Sequence, residues 1–314
     1  MSPSSTTEPV TNWSVDRLDD LAGKTYLITG GNSGIGFEAA VHLRRANADV
    51  IVAARSLPKG KAAVAQLGEL RGGGEVELVQ LDLASLDSIH AANDAIRRSA
   101  DGLDGVVNNA GIMQTPQQQT ADGFELQFGT NHLGHFLLNH LTFDLVEARS
   151  GRIVPVSSIA HHQAKAIDFD DPMFSRRYSA TRAYAHSKLA NLMYGLELAR
   201  RLDAAGSNVI SASAHPGYSA TNLQSTGPNA AFAALYKVSN LLLAQKAAEG
   251  AVPEVLAAAG TEARNGAYYG PTGRGDSRGP VGESRISDAA ADEEAGARLW
   301  SLSEELLGIT WDVE

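Results

Sequence analysis

The segment Thr29-Gly30-Gly31-Asn32-Ser33-Gly34-Ile35-Gly36 stands directly after the apolar run Tyr26-Leu27-Ile28 and directly before a periodic stretch that runs from Phe37 to Leu43. A glycine-rich turn in that place fixes the order strand, turn, helix near the start of the chain. The backbone N–H groups at a helix N-terminus, reinforced by the helix dipole, hold a pyrophosphate, and the missing Cβ atoms let phosphates approach closely. The first expectation is therefore a nucleotide site built from Gly30, Asn32, Ser33, Gly34, Ile35 and Gly36. The spacing Gly30-x-x-x-Gly34-x-Gly36 is neither G-x-G-x-x-G nor the G-x-x-x-x-G-K-[ST] of a P-loop, and Phe37 rather than lysine follows it, which argues against an ATPase.

Downstream, short β-rich runs alternate with amphipathic stretches. Strands are predicted near Thr25–Thr29, Val50–Ala54, Val76–Leu81, Gly105–Asn108, Ile153–Ser157 and Val209–Ala214, with a weak last one near Ala267–Tyr269. Helices are predicted over Gly34–Arg45, Lys59–Leu70, Leu86–Ser99, Phe124–Leu145, Arg182–Leu202 and Lys246–Ala259. Nearly continuous apolar strands separated by helices make a parallel sheet covered on both faces, an α/β doubly wound Rossmann-type fold. Such folds bind ligands beyond the carboxyl ends of their strands. Polar clusters sit there: Asp82, Asn108-Asn109-Ala110-Gly111, Ser157-Ser158 and His215-Pro216-Gly217. Pro155 lies inside the fifth strand, where its missing N–H predicts a local irregularity.

Composition narrows the function. A chain of 314 residues with 43% hydrophobic content can bury a sizeable core, and no Pro/Ser/Gly-rich linker divides it. One domain over residues 23–314 is expected, after a flexible leader over residues 1–22. The net charge of −10 argues against a nucleic-acid partner, which needs a basic face. No run of apolar residues is long enough to span a membrane and the leader carries no export signal, so a cytoplasmic protein is expected. The absence of cysteine removes thiolate nucleophiles and cysteine-ligated zinc. His132, His135, His161, His162 and His186 are joined by no carboxylate set, so no metal is assigned, and the histidines are expected on helix faces or the rim.

Tyr184 and Lys188 lie four apart in the helical stretch Arg182–Asn191 and share one face. This is the only Tyr-x-x-x-Lys in the chain. A tyrosine with a free pKa of about 10 needs roughly 4 kcal/mol of differential stabilisation to exchange protons near pH 7, and a neighbouring ammonium acts in that direction. A proton donor and acceptor for a substrate oxygen is the expected role.

Thr29–Gly36, Asn108-Asn109-Ala110-Gly111, Asn131, Ser158, Tyr184-x-x-x-Lys188 and Pro216-Gly217, in this order, resemble the short-chain dehydrogenase/reductase family over about residues 24 to 269. His161-His162 and the long interval between Ser158 and Tyr184 look like the branch that contains retinol dehydrogenases and their bacterial relatives, with an insertion around Asp168–Ala180 near the site mouth. The resemblance implies that Tyr184 exchanges a proton with the oxygen of a small-molecule carbonyl or alcohol substrate while hydride moves to or from a nicotinamide. It implies that Ser158 hydrogen-bonds the same oxygen, that Lys188 lowers the tyrosine pKa and holds the nicotinamide ribose, and that Asn131 binds the water linking Lys188 to solvent. Asp82 and Leu83 would contact adenine, Asn108, Ala110 and Gly111 would back the ribose, and Pro216, Gly217 and Thr221 would border the nicotinamide. A homo-oligomer of unfixed number is also implied.

The end of the second strand, Ala54-Arg55-Ser56, carries no acidic residue to accept from a ribose 2′-OH, and Arg55, with Lys59 nearby, can pair with a 2′-phosphate. NADP(H) is therefore favoured over NAD(H). The mostly apolar stretch 229–243, inside an expected substrate loop at about 218–245, fits a lipophilic substrate, though core packing or a subunit contact would explain it as well. Residues 270–282 are expected to loop and 292–307 to form a closing helix. A rival reading is a non-catalytic NADP-binding sensor or scaffold on the same fold. Nucleotide-sugar epimerases have a different glycine spacing, and a protochlorophyllide-type reductase would need a cysteine.

Overall fold

The computed structural model describes residues 8–218, 247–273 and 275–313. Thr221 and the apolar 229–243 stretch lie outside the described residues. Strands β1 (Thr25–Thr29), β2 (Asp49–Ala54), β3 (Val76–Gln80), β4 (Gly105–Asn108), β5 (Arg152–Pro155) and β6 (Ile210–Ser211) form one parallel sheet in the order β3-β2-β1-β4-β5-β6. Helices α1 (Gly34–Arg45), α2 (Leu57–Gly68), α3 (Leu86–Ser99), α4 (Gly134–Glu147), α5 (Ala180–Ala205) and α6 (Ala247–Ala259) cover it. Val50, Val52, Val107 and Val154 pack on one side with residues of α1 and α6, while Ile51, Val106 and Ile153 pack on the other with α3, α4 and α5. Burial on both faces explains why these strands read as unbroken apolar runs. The doubly wound Rossmann-type expectation is met.

The strand order places the functional end. β1 pairs with β2 on one side and β4 on the other, so the chain reverses its winding direction between β3 and β4. The crevice at such a switch point, beyond the carboxyl ends of β1 and β4, is where ligands bind. Thr29 and Asn108 border it.

Pro155 does what its chemistry predicts. Ala212 N donates to Ile153 O (3.1 Å) and Ser157 N to Ala214 O (2.8 Å), which puts Pro155 where an N–H would meet the Ala212 carbonyl. The missing donor removes one rung, and the sixth strand is split at Ala212 into β6 and β7 (Ser213–Ala214).

Several expectations need correction. Residues 270–282 do not simply loop: β8 (Tyr268–Gly273) and β9 (Arg278–Glu283) form an antiparallel hairpin, and β8 also pairs in parallel with β7. The leader is not detached over its full length either. Val10, Trp13 and Leu21 are buried, Trp13 bridges to Val281, and its indole N–H donates to Glu262 (2.9 Å). Packing against β9 therefore begins at Val10.

The closing helix α7 (Glu293–Leu307) starts at Asp292, whose carboxylate accepts from Ala295 N (3.0 Å), and ends at Gly308 in the left-handed region (φ 65). It packs along α5. The predicted helix around residues 124–145 is not continuous. A short turn, Leu126–Phe128, passes through a π-helical segment, Gly129–Leu133, before α4 begins. Among the described residues no helix is long and apolar enough to cross a membrane.

Candidate active site

The turn between β1 and α1 has the form of an anion cradle. Gly30 and Gly34 adopt φ +68 and +60, conformations that strain other residues. A Cβ on Gly30 would lie 3.0 Å from Asn109 Nδ2 and 3.1 Å from Ala110 Cα, and one on Gly36 would overlap the Asn109 amide. Asn109 explains the closeness: its Nδ2 donates to Thr29 O (2.7 Å), while Ala110 N donates to Thr29 Oγ1 (2.9 Å), clamping the loop after β4 to the loop after β1. The helix caps make a contrast. Ser85, Ser179 and Asp292 cap α3, α5 and α7 with their side chains, yet Ser33 before α1 makes no such bond. The first turn of α1 thus keeps backbone N–H groups available for an anion. A dinucleotide pyrophosphate fits this donor set. Gly36→Ala is expected to weaken dinucleotide binding by about 10-fold or more, at a cost of about 1.4 kcal/mol per tenfold, because the Cβ must displace Asn109; fluorescence titration measures it.

The catalytic candidates converge from three elements. Ser157 is buried and its hydroxyl donates to Lys188 O (2.7 Å), tying β5 to α5. Ser158 is half-buried, and its Oγ accepts from Ala160 N (3.2 Å) at the start of a short 3-10 turn, Ile159–Gln163. Tyr184 is half-buried one helical turn before Lys188. Lys188 is 4% exposed, and its Nζ donates to Val156 O (3.0 Å). A Cβ on Gly111 would lie 3.2 Å from Asn131 Oδ1 and 3.6 Å from Lys188 Nζ, so these three meet at one point. Burial pushes the Lys188 ammonium down to about 8, opposed by the Glu254 carboxyl.

Asn131 lies in the π-helical segment, a common device for presenting functional groups. Its Oδ1 accepts from Ile112 N (2.8 Å), and its Nδ2 donates to Ile112 O (3.0 Å) and Ser187 Oγ (2.9 Å). Ser187 in turn donates to Tyr184 O (2.9 Å). The side chain therefore fastens the loop after β4 to the tyrosine helix. Its main-chain oxygen meets His135 Nδ1 (2.9 Å), and His135 Nε2 meets Thr29 Oγ1 (2.8 Å). Burial drives His135 down to about 4, so the ring is neutral, with Nδ1–H donating to Asn131 and Nε2 accepting from Thr29.

The remaining positions divide. Asp82 accepts from Ala84 N (3.0 Å) through Oδ1 and sits half-buried after β3, beside the buried Leu83. Ala110 and Gly111 are half-buried. Asn108 is 1% exposed, and its side-chain amide has no hydrogen-bond partner among the described residues. Gly217 (φ +66) follows Pro216 and donates its N–H to His215 Nδ1 (3.2 Å). Arg55 and Lys59 are exposed at the end of β2 and the start of α2, and neither forms an ion pair among the described residues. The insertion fastens to the loop after β4 through Tyr178, whose OH donates to Thr115 O (2.8 Å), and the first turn of α5 adds a bond from Thr181 Oγ1 to Gln114 Oε1 (3.1 Å).

Most histidines are interior, not on the rim. His132, His135, His161 and His186 are buried, with burial pushing each well below its usual range, and His132 reaches Ser303 Oγ (2.9 Å). Residue patterning did not single out Thr29, Asn109, His135 or Ser187 as parts of the site framework. Their side chains act through tertiary contacts, although Asn109 and Thr29 stand inside motifs.

This fold, cradle and Ser-Tyr-Lys set define a dinucleotide-dependent oxidoreductase class. The profile of the short chain dehydrogenase family matches residues 24–231. The chain is 36% identical to human retinol dehydrogenase 12 over 93% of its own length and 89% of that protein. It is 38% identical to human retinol dehydrogenase 14 over 91% and 87%. A crystal structure of an uncharacterized protein from Mycobacterium paratuberculosis superimposes with TM-score 0.79 at 37% identity, covering 96% of this chain and all of that one. The chain belongs to the short-chain dehydrogenase/reductase family, in its retinol dehydrogenase-like branch, and is an NAD(P)-dependent oxidoreductase of CH–OH and C=O groups.

Proposed function

We propose that the chain interconverts a carbonyl and an alcohol on a lipophilic small molecule, uses NADP(H), and employs Tyr184 as general acid/base. The carrying observation is the pairing of a tyrosine and a buried lysine on one face of α5, with the Ser157 hydroxyl on the Lys188 carbonyl and the Lys188 ammonium at the point where Gly111 and Asn131 meet it. The nicotinamide supplies and accepts hydride. Tyr184 would donate its hydroxyl proton to the carbonyl oxygen in reduction and take it back from the alcohol in oxidation. The Ser158 hydroxyl would orient that oxygen. The Lys188 ammonium would favour the phenolate, and the Ser157 and Asn131 bonds hold the lysine helix against β5 and the loop after β4. Asn131, beyond that structural role, would order water next to Lys188. The intact set speaks against a non-catalytic scaffold.

Arg55 supports NADP(H). It is exposed at the end of β2 with no ion pair among the described residues, where a carboxylate would instead accept from the ribose 2′-OH. Arg55→Ala is expected to weaken NADPH about 10- to 100-fold, the usual worth of a charge-assisted hydrogen bond, and to leave NADH nearly unchanged. Equal losses for both cofactors would remove the assignment. The lipophilic substrate is supported by the apolar composition of 229–243 and by relatives whose names specify retinol, a lipophilic alcohol. Incubating the protein with a panel of apolar aldehydes, ketones and alcohols while following NADPH absorbance tests the reading; no turnover of any member would overturn it.

A further inference from the structure

Ser158 follows β5 in an extended conformation (φ −162, ψ 157) and starts the turn Ile159–Gln163. Its carbonyl oxygen accepts two bonds from one residue: His161 donates its backbone N–H (3.0 Å) and its ring Nδ1–H (2.7 Å). Ala160 of the same turn donates its N–H to Ser158 Oγ (3.2 Å). The serine oxygen is thus held as an acceptor from inside the turn, and its hydroxyl hydrogen has no acceptor among the described residues. That leaves the hydrogen for a substrate oxygen.

The His161 ring is fixed by its neighbours. It is 1% exposed, lies against the exposed His162 ring (centroids 3.9 Å apart) and stands edge-on to Tyr268 (5.5 Å). Tyr268 is buried in β8 and in contact with the His215 ring (5.0 Å), whose Nδ1 accepts from Gly217 N (3.2 Å). Burial pushes His161 down to about 4, against its bond to Ser158, so the ring is neutral and carries one N–H. A carbonyl only accepts, which puts that hydrogen on Nδ1. The other nitrogen, Nε2, is buried with no hydrogen-bond partner among the described residues. An unpaired buried nitrogen is a cost that phenylalanine, which fills a similar space, would avoid. What histidine alone supplies at this place is the bond to Ser158.

We propose that His161 is a positioning residue for Ser158: its ring N–H and backbone N–H together hold the serine carbonyl, and so fix the turn from which the serine hydroxyl meets the substrate oxygen. This rests on the reading of Ser158 as the group that orients that oxygen. The ψ torsion of Ser158 cannot change without breaking both bonds to His161. The bond from Ala160 N to Ser158 Oγ exists only while the turn keeps its shape. Without the ring N–H the carbonyl is released on one side, the hydroxyl is placed less closely, and the chemical step slows while the anion cradle, built on other residues, is untouched.

Reduction of decanal, an apolar aldehyde, with saturating NADPH or NADH reads the effect. His161→Phe keeps a ring against His162 and Tyr268 but loses the N–H, and its kcat is expected about 10- to 100-fold below wild type with cofactor affinity retained. His161→Asn, whose amide nitrogen takes the Nδ1 place, should recover most of that loss. His161→Gln, whose amide falls at the Nε2 place, should not. A ring needed only for packing predicts the reverse order, phenylalanine active and asparagine impaired, and that order overturns the proposal. Because His161 acts through Ser158, His161→Phe should cost little in a Ser158→Ala background, and an undiminished loss there overturns it too. Full turnover in Ser158→Ala alone removes the reading of Ser158 and the proposal with it; loss in Ser158→Ala with none in His161→Phe overturns the proposal alone. Should His161→Phe fail to fold, the asparagine and glutamine variants decide, and equal activity in the two overturns the proposal. If wild type leaves decanal unreduced, crystal structures of the variants decide. The Ser158 hydroxyl should be displaced by about 1 Å or more in His161→Gln and stay in place in His161→Asn, and a hydroxyl in place in both overturns the proposal.

Discussion

Replacing Tyr184 by phenylalanine is expected to lower kcat about 100- to 10,000-fold, the usual contribution of a positioned general acid/base, while the nicotinamide cofactor still binds near its wild-type affinity. The substitution removes one hydroxyl from a half-buried ring and leaves the local framework in place. The Ser187 hydroxyl bonds the Tyr184 backbone oxygen, not its side chain, and Asn131 holds Ser187. The anion cradle is built from Thr29, Gly30, Gly34, Gly36 and Asn109, none of which depends on the tyrosine. Loss of turnover with retained binding therefore separates the proton-transfer role from a packing role. Full turnover in the Tyr184→Phe variant would remove Tyr184 from the chemistry. Loss of turnover and of cofactor binding together would point to damage of the cleft instead.

The sheet was legible because its physics is local. Strands covered on both faces must be apolar throughout, and the glycine turn and the Tyr-x-x-x-Lys pair carry their geometry in spacing alone. Pro155 was legible for the same reason, since a missing N–H is a property of one residue. The hairpin formed by β8 and β9 was not. Gly270, Pro271, Gly273, Gly279, Pro280 and Gly282 read as loop, and what makes them strand is pairing with Ser213–Ala214 and with the segment around Trp13, far away in the chain. The π-helical segment at Gly129–Leu133 is set by similar distant ties from Asn131 to Ile112 and Ser187.

Side-chain roles follow the same division. A motif can nominate Asn108, yet its burial at the end of β4, with no partner for its amide among the described residues, comes from the packing of the sheet. Glu254 sits in Ala-Ala-Glu-Gly-Ala-Val-Pro-Glu-Val-Leu-Ala-Ala-Ala, where a glutamate reads as a solvated helix position. Only the packing of α6 against α1 and the sheet buries it.

Replacing Trp300 by alanine is expected to destabilise the fold by about 3 to 5 kcal/mol, the range for truncating a large buried aromatic. Trp300 is 2% exposed and lies at the centre of an aromatic cluster: edge-on to Phe136 at 4.9 Å, stacked on Tyr194 at 6.0 Å and tilted to Trp311 at 4.9 Å. The Arg201 guanidinium covers its outer face at 4.3 Å. Its indole nitrogen has no hydrogen-bond partner among the described residues, so the substitution strands no polar group, and the cost is that of the cavity and the lost ring contacts. Through this cluster α7 and the C-terminal segment around Trp311 close over α4 and α5, the helices that carry the π-helical segment's continuation and the Tyr184–Lys188 pair. Thermal unfolding should show a midpoint lowered on the order of 10 °C. Two outcomes are physically distinct. If α7 remains docked in the variant, unfolding stays cooperative and the midpoint carries the full loss. If α7 undocks locally, amide exchange in Glu293–Leu307 rises well before global unfolding, and the midpoint drop is smaller because the cavity is relieved by opening rather than held. A midpoint within about 2 °C of wild type, with α7 still protected, would mean that the cluster contributes little beyond covering α5.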